Sequence, residues 1–138
     1  APNGGTAMIT AYATTEAIDH MGLYGSFIER EGDGSGTVVL HHGRVKRPGK
    51  VVPDFSAVEL RALSPDTDGF LEAIAARAVE RFGLANALVV HRLGTIGAKD
   101  TVLLAIVSSV SRDRSFEACS WIVDEIKKEE GIALIERP

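Results

Sequence analysis

Val102-Leu103-Leu104-Ala105-Ile106-Val107 is an unbroken apolar run without the in–out alternation of a half-buried strand. A strand from Thr101 to Ser109 therefore needs cover on both faces. Ala87 to Leu93 reads as a second strand, and Gly94 to Asp100 between them suits a hairpin connection. Cationic clusters flank this core: His91-Arg92-Leu93-Gly94-Thr95-Ile96 before the run, and Ser111-Arg112-Asp113-Arg114-Ser115-Phe116 after it. Two such clusters at strand ends point to a basic pocket for an anionic small molecule.

Working outward, the clearest helix begins at Ser64-Pro65, with serine as N-cap and proline at the first helical position. Phe70, Leu71, Ile74, Ala75, Ala78, Val79 and Phe82 fall on one face, and Gly83 ends the helix. A second long helix is expected from Arg114 to Glu130, with Phe116, Cys119, Ile122, Val123 and Ile126 as its stripe. Toward the N-terminus, Ala1 to Gly5 is a small lead, and Thr6 to Ala13 has the composition of an edge strand. Thr14 or Thr15 is expected to cap a short helix toward Tyr24, and Glu29 to Gly36 to form an exposed loop. Thr37 to His42 reads as a strand leading into the basic turn Gly43 to Gly49; Val51 to Leu63 is extended, and Ile132 to Ile135 is a short terminal strand. Strands and helices without regular βαβ repetition predict an α+β fold, with two main helices packed on a mostly antiparallel sheet, in a single domain over 1–138.

Bulk properties narrow the function. A formal net charge of -4 gives no general attraction to nucleic acid or an anionic membrane, so anion binding has to be local. No apolar stretch is long enough to span a bilayer and no basic-then-apolar leader is visible, which favours the cytoplasm. The single cysteine, Cys119, forms no intrachain disulfide and reads as a small core residue.

Each cationic group has two readings. Arg44, Lys46 and Arg47 form either a solvated loop or an anion clamp. His91 and Arg92 point to opposite sides of a strand; Arg92 needs either a structural acid such as Glu117 or Asp124, or a substrate. Arg112 and Arg114 open a helix, where a bound anion or a capping Asp113 would explain them. Lys127 and Lys128 are either ordinary helix-terminal residues or contributors to catalysis. His41 and His42 alternate across a strand, and with no acid or cysteine at ligand spacing no metal site is assigned.

Taken together, these segments resemble the large, catalytic subunit of molybdopterin synthase from about Thr37 to Glu136. The resemblance is carried by His91-Arg92-x-Gly94-x-Ile96, the apolar strand, Arg112, Phe116-Glu117-Ala118-Cys119, Asp124 and Lys127, with Gly43-Arg44-Val45-Lys46 as the earlier basic turn. It implies a homodimer within a heterotetramer, whose other component is a small ubiquitin-like sulfur-carrier subunit. The carrier's C-terminal thiocarboxylate donates sulfur to cyclic pyranopterin monophosphate, forming molybdopterin; no permanently bound cofactor is implied. Arg44, His91, Arg92 and Arg112 match substrate-binding positions, and Lys127 a catalytic one, with Lys46, Arg47, Arg114 and Lys128 as secondary candidates.

The match has departures. Ser111 stands where the family has a histidine, Leu134 stands at a second functional lysine, and Phe55 to Leu63 matches poorly. Three outcomes follow: an active synthase relying on Lys127 and the arginines, a non-catalytic paralogue binding the carrier or a pterin, or the same fold turned to another anionic ligand. Convergence of Arg44, Arg92, Arg112 and Lys127 in one concave site would favour ligand chemistry.

Overall fold

The computed structural model describes residues 6–138; the Ala1 to Gly5 lead lies outside the described residues. The apolar run forms strand β6 (Thr101–Ser109), and residues 103 to 109 of it are buried. It sits inside a four-stranded sheet of order β1-β4-β6-β2, formed with β1 (Met8–Thr14), β4 (Asn86–Arg92) and β2 (Thr37–Arg44). β6 pairs antiparallel with both neighbours, whereas β1 pairs parallel with β4 at the edge.

Both faces of β6 are covered. Leu103, Ala105 and Val107 meet α2 (Thr67–Phe82) and α3 (Arg112–Lys128) through Leu71, Ile74, Ala118 and Ile122. Leu104 and Ile106 face the other way, toward Ile18 and Phe27, the latter from α1 (His20–Glu29). Burying a side chain of this size contributes about 1.5–3 kcal/mol, so neither face can be left wet. The architecture is α+β and mainly antiparallel, as expected, with α1 added on the second face.

The connection between β4 and β6 differs from a plain hairpin. Gly94, at φ 95°, turns the chain into β5 (Gly94–Ile96), which joins a second sheet of order β5-β3-β7. Its other strands are β3 (Ala57–Ala62) and β7 (Ile132–Arg137), both antiparallel to their neighbours. Only the last part of the expected Val51 to Leu63 extension is strand. Phe55, Val58, Leu60 and Ile96 make a third apolar cluster there, with Val45.

Helix starts also depart from expectation, each because a nearer oxygen reaches the free amides. Asp66, not Ser64, caps α2: its Oδ1 accepts from Gly69 N at 3.0 Å, and Ser64 Oγ accepts from Asp66 N. Asp19 caps α1 in place of Thr14 or Thr15, accepting from Gly22 N at 3.1 Å. Ser111 caps α3, so that helix begins at Arg112 rather than Arg114, and Asp113 lies in its first turn. Gly83 ends α2 in the left-handed conformation at φ 64°, as expected.

Asp66→Ala is expected to destabilise the protein by about 1 kcal/mol, the usual loss of an N-cap. Urea denaturation checks this; an unchanged midpoint would show that Asp66 does not cap α2.

Candidate functional site

The second sheet meets the first at one end, and a cleft of about 630 Å³ opens there, within the usual size for a small-molecule site. Its wall is set by strand register. Gly43 of β2 and His91 of β4 both lie opposite Leu103 of β6, forming one rung across the sheet. His41 lies two rungs further in, opposite Ala105. Residues two apart share a face, so His41 and His91 look toward the α3 side, with Val39 and Val89. The C-terminal turn of α3 brings Ile126 and Lys127 to the cleft, and β7 brings Leu134 and Glu136.

Of the residues singled out in the sequence, Arg44, Lys46, His91 and Lys127 line this cleft. Lys127 has no carboxylate within ion-pair distance among the described residues, whereas the adjacent Lys128 pairs with Glu125 at 3.8 Å. The two lysines therefore face different environments, and only the first adds an unneutralised charge to the cleft.

The remaining candidates lie elsewhere in this chain. Arg92 turns to the opposite sheet face from His91, on the side of Leu88 and Val90. It pairs with neither Glu117 nor Asp124, and its buried Nε has no hydrogen-bond partner among the described residues. Arg112 and Lys127 open and close the same helix, so about 22 Å of helix separates them at 1.5 Å per residue. Arg114 packs against the end of α2: a Cβ on Gly83 would lie 3.3 Å from its Nη1. A cation at that C-terminus complements the helix dipole. Arg47 rests on the Phe55 ring, 4.9 Å from its centroid. Convergence within one chain is thus limited to Arg44 and Lys127 of the four residues expected to meet.

Three contributors were not foreseen. His41 lines the cleft, and its pKa is lowered by burial and then by the charge of Lys127. Lys50 adds another cation from the loop between β2 and β3. Glu136 holds that loop: its carboxylate accepts from the backbone amides of Lys50 at 2.8 Å and of Val51 and Val52 at 2.7 Å each. These bonds, led by the one from Val52, lower its pKa. The alternation of Val39 with His41 was a usable signal for the first. The other two depend on long-range pairing of β7 with β3, which local sequence does not encode.

His91 is buried at 7% exposure, and burial lowers its pKa despite a 2.8 Å contact from Nδ1 to the carbonyl of Arg92. That contact requires Nδ1 to carry the proton, leaving Nε2 as an acceptor. Cys119 is also buried, its thiol pushed up to about 11 by desolvation, so it remains a protonated core residue at neutral pH. Among the described residues no group of three or more His, Cys, Asp or Glu is placed to hold a metal.

A cationic cleft with a histidine and an unpaired lysine is not particular to one chemistry. The MoaE protein family matches residues 13–129, most of the chain. The chain belongs to the MoaE family. A molybdopterin synthase catalytic subunit from Pyrococcus abyssi is 43% identical over 58 residues, 42% of this chain and 39% of that protein. The chain covers less than two thirds of the length of each curated relative compared with it. The structure of molybdopterin synthase from Staphylococcus aureus is 26% identical and superposes with a TM-score of 0.79, covering 91% of this chain and 89% of that one. A structure of the complex of subunits 1 and 2 of molybdopterin-converting factor from Helicobacter pylori shares the fold at a TM-score of 0.69, with 13% identity, covering 94% of this chain and 83% of that one. This MoaE member is moderately divergent, and its α+β fold is that of its structural neighbours.

Glu136→Gln removes the charge that collects three amides. Faster exchange of the Lys50, Val51 and Val52 amides is expected, relative to wild type at neutral pH. The depressed carboxylate pKa sets the sign in the wild type: the latch is present when Glu136 is ionised and weakens as pH falls through its folded pKa. Amide protection measured by NMR across that range checks both statements, and protection independent of residue 136 and of pH would remove the latch.

Proposed function

We propose that this chain is a molybdopterin synthase catalytic subunit, transferring sulfur from a thiocarboxylated carrier protein to cyclic pyranopterin monophosphate. The observation that carries the reading is the meeting of unpaired Lys127 with Arg44, Lys46 and His91 in one cleft of a chain whose net charge is -4. Positive charge confined there attracts a phosphate-bearing substrate and an anionic thiocarboxylate without making the whole surface sticky.

In the proposed reaction the carrier's sulfur bonds to the pterin side chain, leaving an acyl link between carrier and substrate. Water then cleaves that link, and a second cycle completes the dithiolene. Arg44 and Lys46 would hold the phosphate by charge-assisted hydrogen bonds. Lys127 would stabilise negative charge on the acyl oxygen. Arg112 lies too far along α3 to join its own chain's Lys127, so the proposal places it in the cleft of a second copy within a homodimer, completed as a heterotetramer by two small carrier subunits. The Helicobacter pylori complex of two subunits supports a two-component assembly.

One observation favours a second reading. Leu134 lines the same cleft and is 52% exposed, an apolar side chain where the resemblance implies a second lysine. A paralogue that binds carrier or pterin without turnover would keep the cations and tolerate this leucine.

Dithiolene formation from cyclic pyranopterin monophosphate and thiocarboxylated carrier separates the two. Turnover by wild type that falls about 10²-fold in Lys127→Ala, the scale of losing one preorganised charge, supports the synthase. A folded wild type that binds carrier and yields no product supports the binding paralogue.

A further inference from the structure

We propose that His41 is the proton acceptor of the cleft, drawing a proton from the water that cleaves the carrier's acyl link; this rests on the synthase reading above. The chain has four histidines, and the structure gives them different duties. His42 faces away from the cleft cluster, stacks on His20 with centroids 4.2 Å apart, and bonds Thr101 Oγ1 at 2.6 Å. His91 is in the cleft wall, but its ring is tied to the Arg92 carbonyl and is nearly out of reach of water.

His41 alone combines access with freedom. It is half-buried in the wall, and its ring nitrogens have no hydrogen-bond partner among the described residues. Its ring lies over Gly43: a Cβ there would stand 2.8 Å from His41 Nε2 and would displace it. Gly43 therefore makes the space in which this nitrogen sits at the cleft.

The surroundings keep the imidazole neutral. Lys127 and Cys119 face it from α3, His91 from β4, and Arg44 and His42 lie on its own strand. Lys46 and Lys50 from the loop and Glu136 from β7 complete the cleft's charges. Burial first, then Lys127, hold the His41 pKa below its usual value. A neutral imidazole beside an ammonium is a base and an electrophile side by side.

The step balances without a further reagent. Water oxygen bonds to the acyl carbon of the carrier–CO–S–pterin link, and His41 Nε2 accepts one water proton. Lys127 supplies positive charge for the developing oxyanion. The carbon–sulfur bond then breaks, its electron pair leaving on the pterin sulfur as thiolate. The carrier departs as a carboxylic acid that ionises to carboxylate, and the imidazolium returns its proton to solvent.

The test is a single turnover of the full chain with thiocarboxylated carrier and cyclic pyranopterin monophosphate, followed by mass spectrometry from mildly acidic to neutral pH. Wild type is compared with His41→Gln, His41→Phe and His91→Gln, each checked for a native melting transition; the phenylalanine variant keeps ring volume should glutamine disturb the wall. The expected result is adduct formation at the wild-type rate in both His41 variants, with adduct breakdown slowed about 10²-fold, the lower end for loss of general-base catalysis. Wild-type breakdown falls as pH drops through the depressed His41 pKa; this acid limb disappears in the His41 variants and persists in His91→Gln. Unchanged breakdown and acid limb in folded His41 variants, or loss of the limb only in His91→Gln, overturns the assignment. A folded wild type that forms neither adduct nor dithiolene overturns the synthase reading itself, and with it this step.

Discussion

The structure depends on β6 staying dry on both faces. An apolar run with no polar side can exist in water only as the inside of a layered arrangement. Its Leu103 side draws in α2 and α3, and its Leu104 side draws in α1. Pairing on both edges with β4 and β2 then follows, because buried backbone amides and carbonyls need partners. Once β6 is placed, the rung Gly43–Leu103–His91 is fixed. The cleft wall is thus a by-product of core formation, and its polar groups are positioned by the most rigid part of the molecule.

Charge in and around the cleft is handled by engaging Glu136 and the neighbouring cations elsewhere. Glu136 could have neutralised the lysines; its oxygens are instead engaged by three backbone amides. Lys128 has Glu125, while Lys127, next to it, has no acid within ion-pair distance among the described residues. Arg114 serves the end of α2, and Arg47 lies over Phe55. Local positive charge therefore survives in a chain that is acidic as a whole.

The elements legible in the sequence were those with a local physical signature. The β6 run, the α2 stripe and Gly83 each announce themselves within a few residues, and the fold class follows from their order. Helix starts were harder, because Ser64, Asp66 and Thr67 all carry suitable cap oxygens and only the chain's exact path selects Asp66. The second sheet was hidden because β5 is three residues long and finds its partner β3 far away in sequence. The cleft was half legible for the same reason. Arg44, His91 and Lys127 stood out as residue types at strand and helix ends, whereas Glu136 acquires its role only through the β7–β3 register.

Ser111 and Leu134 acquire physical content from their positions. Ser111 Oγ accepts from Arg114 N at the start of α3, a bond an imidazole there would not reproduce in the same way. Its neighbours extend the network: Ser109 Oγ meets Ser115 Oγ at 2.6 Å, and Ser115 Oγ donates to the carbonyl of Thr37 at 2.9 Å. The serine thus anchors the helix whose far end carries Lys127, so its contribution to the cleft is indirect. Leu134 acts at the cleft itself. It lines the cleft with Lys127 and is itself 52% exposed, so it offers an apolar side chain and no charge beside that cation. A second ammonium at that position would have added charge to the same cleft, but it would also have repelled Lys127. One lysine against a leucine, with a neutral histidine at hand, is a self-consistent way to hold an anion and move a proton.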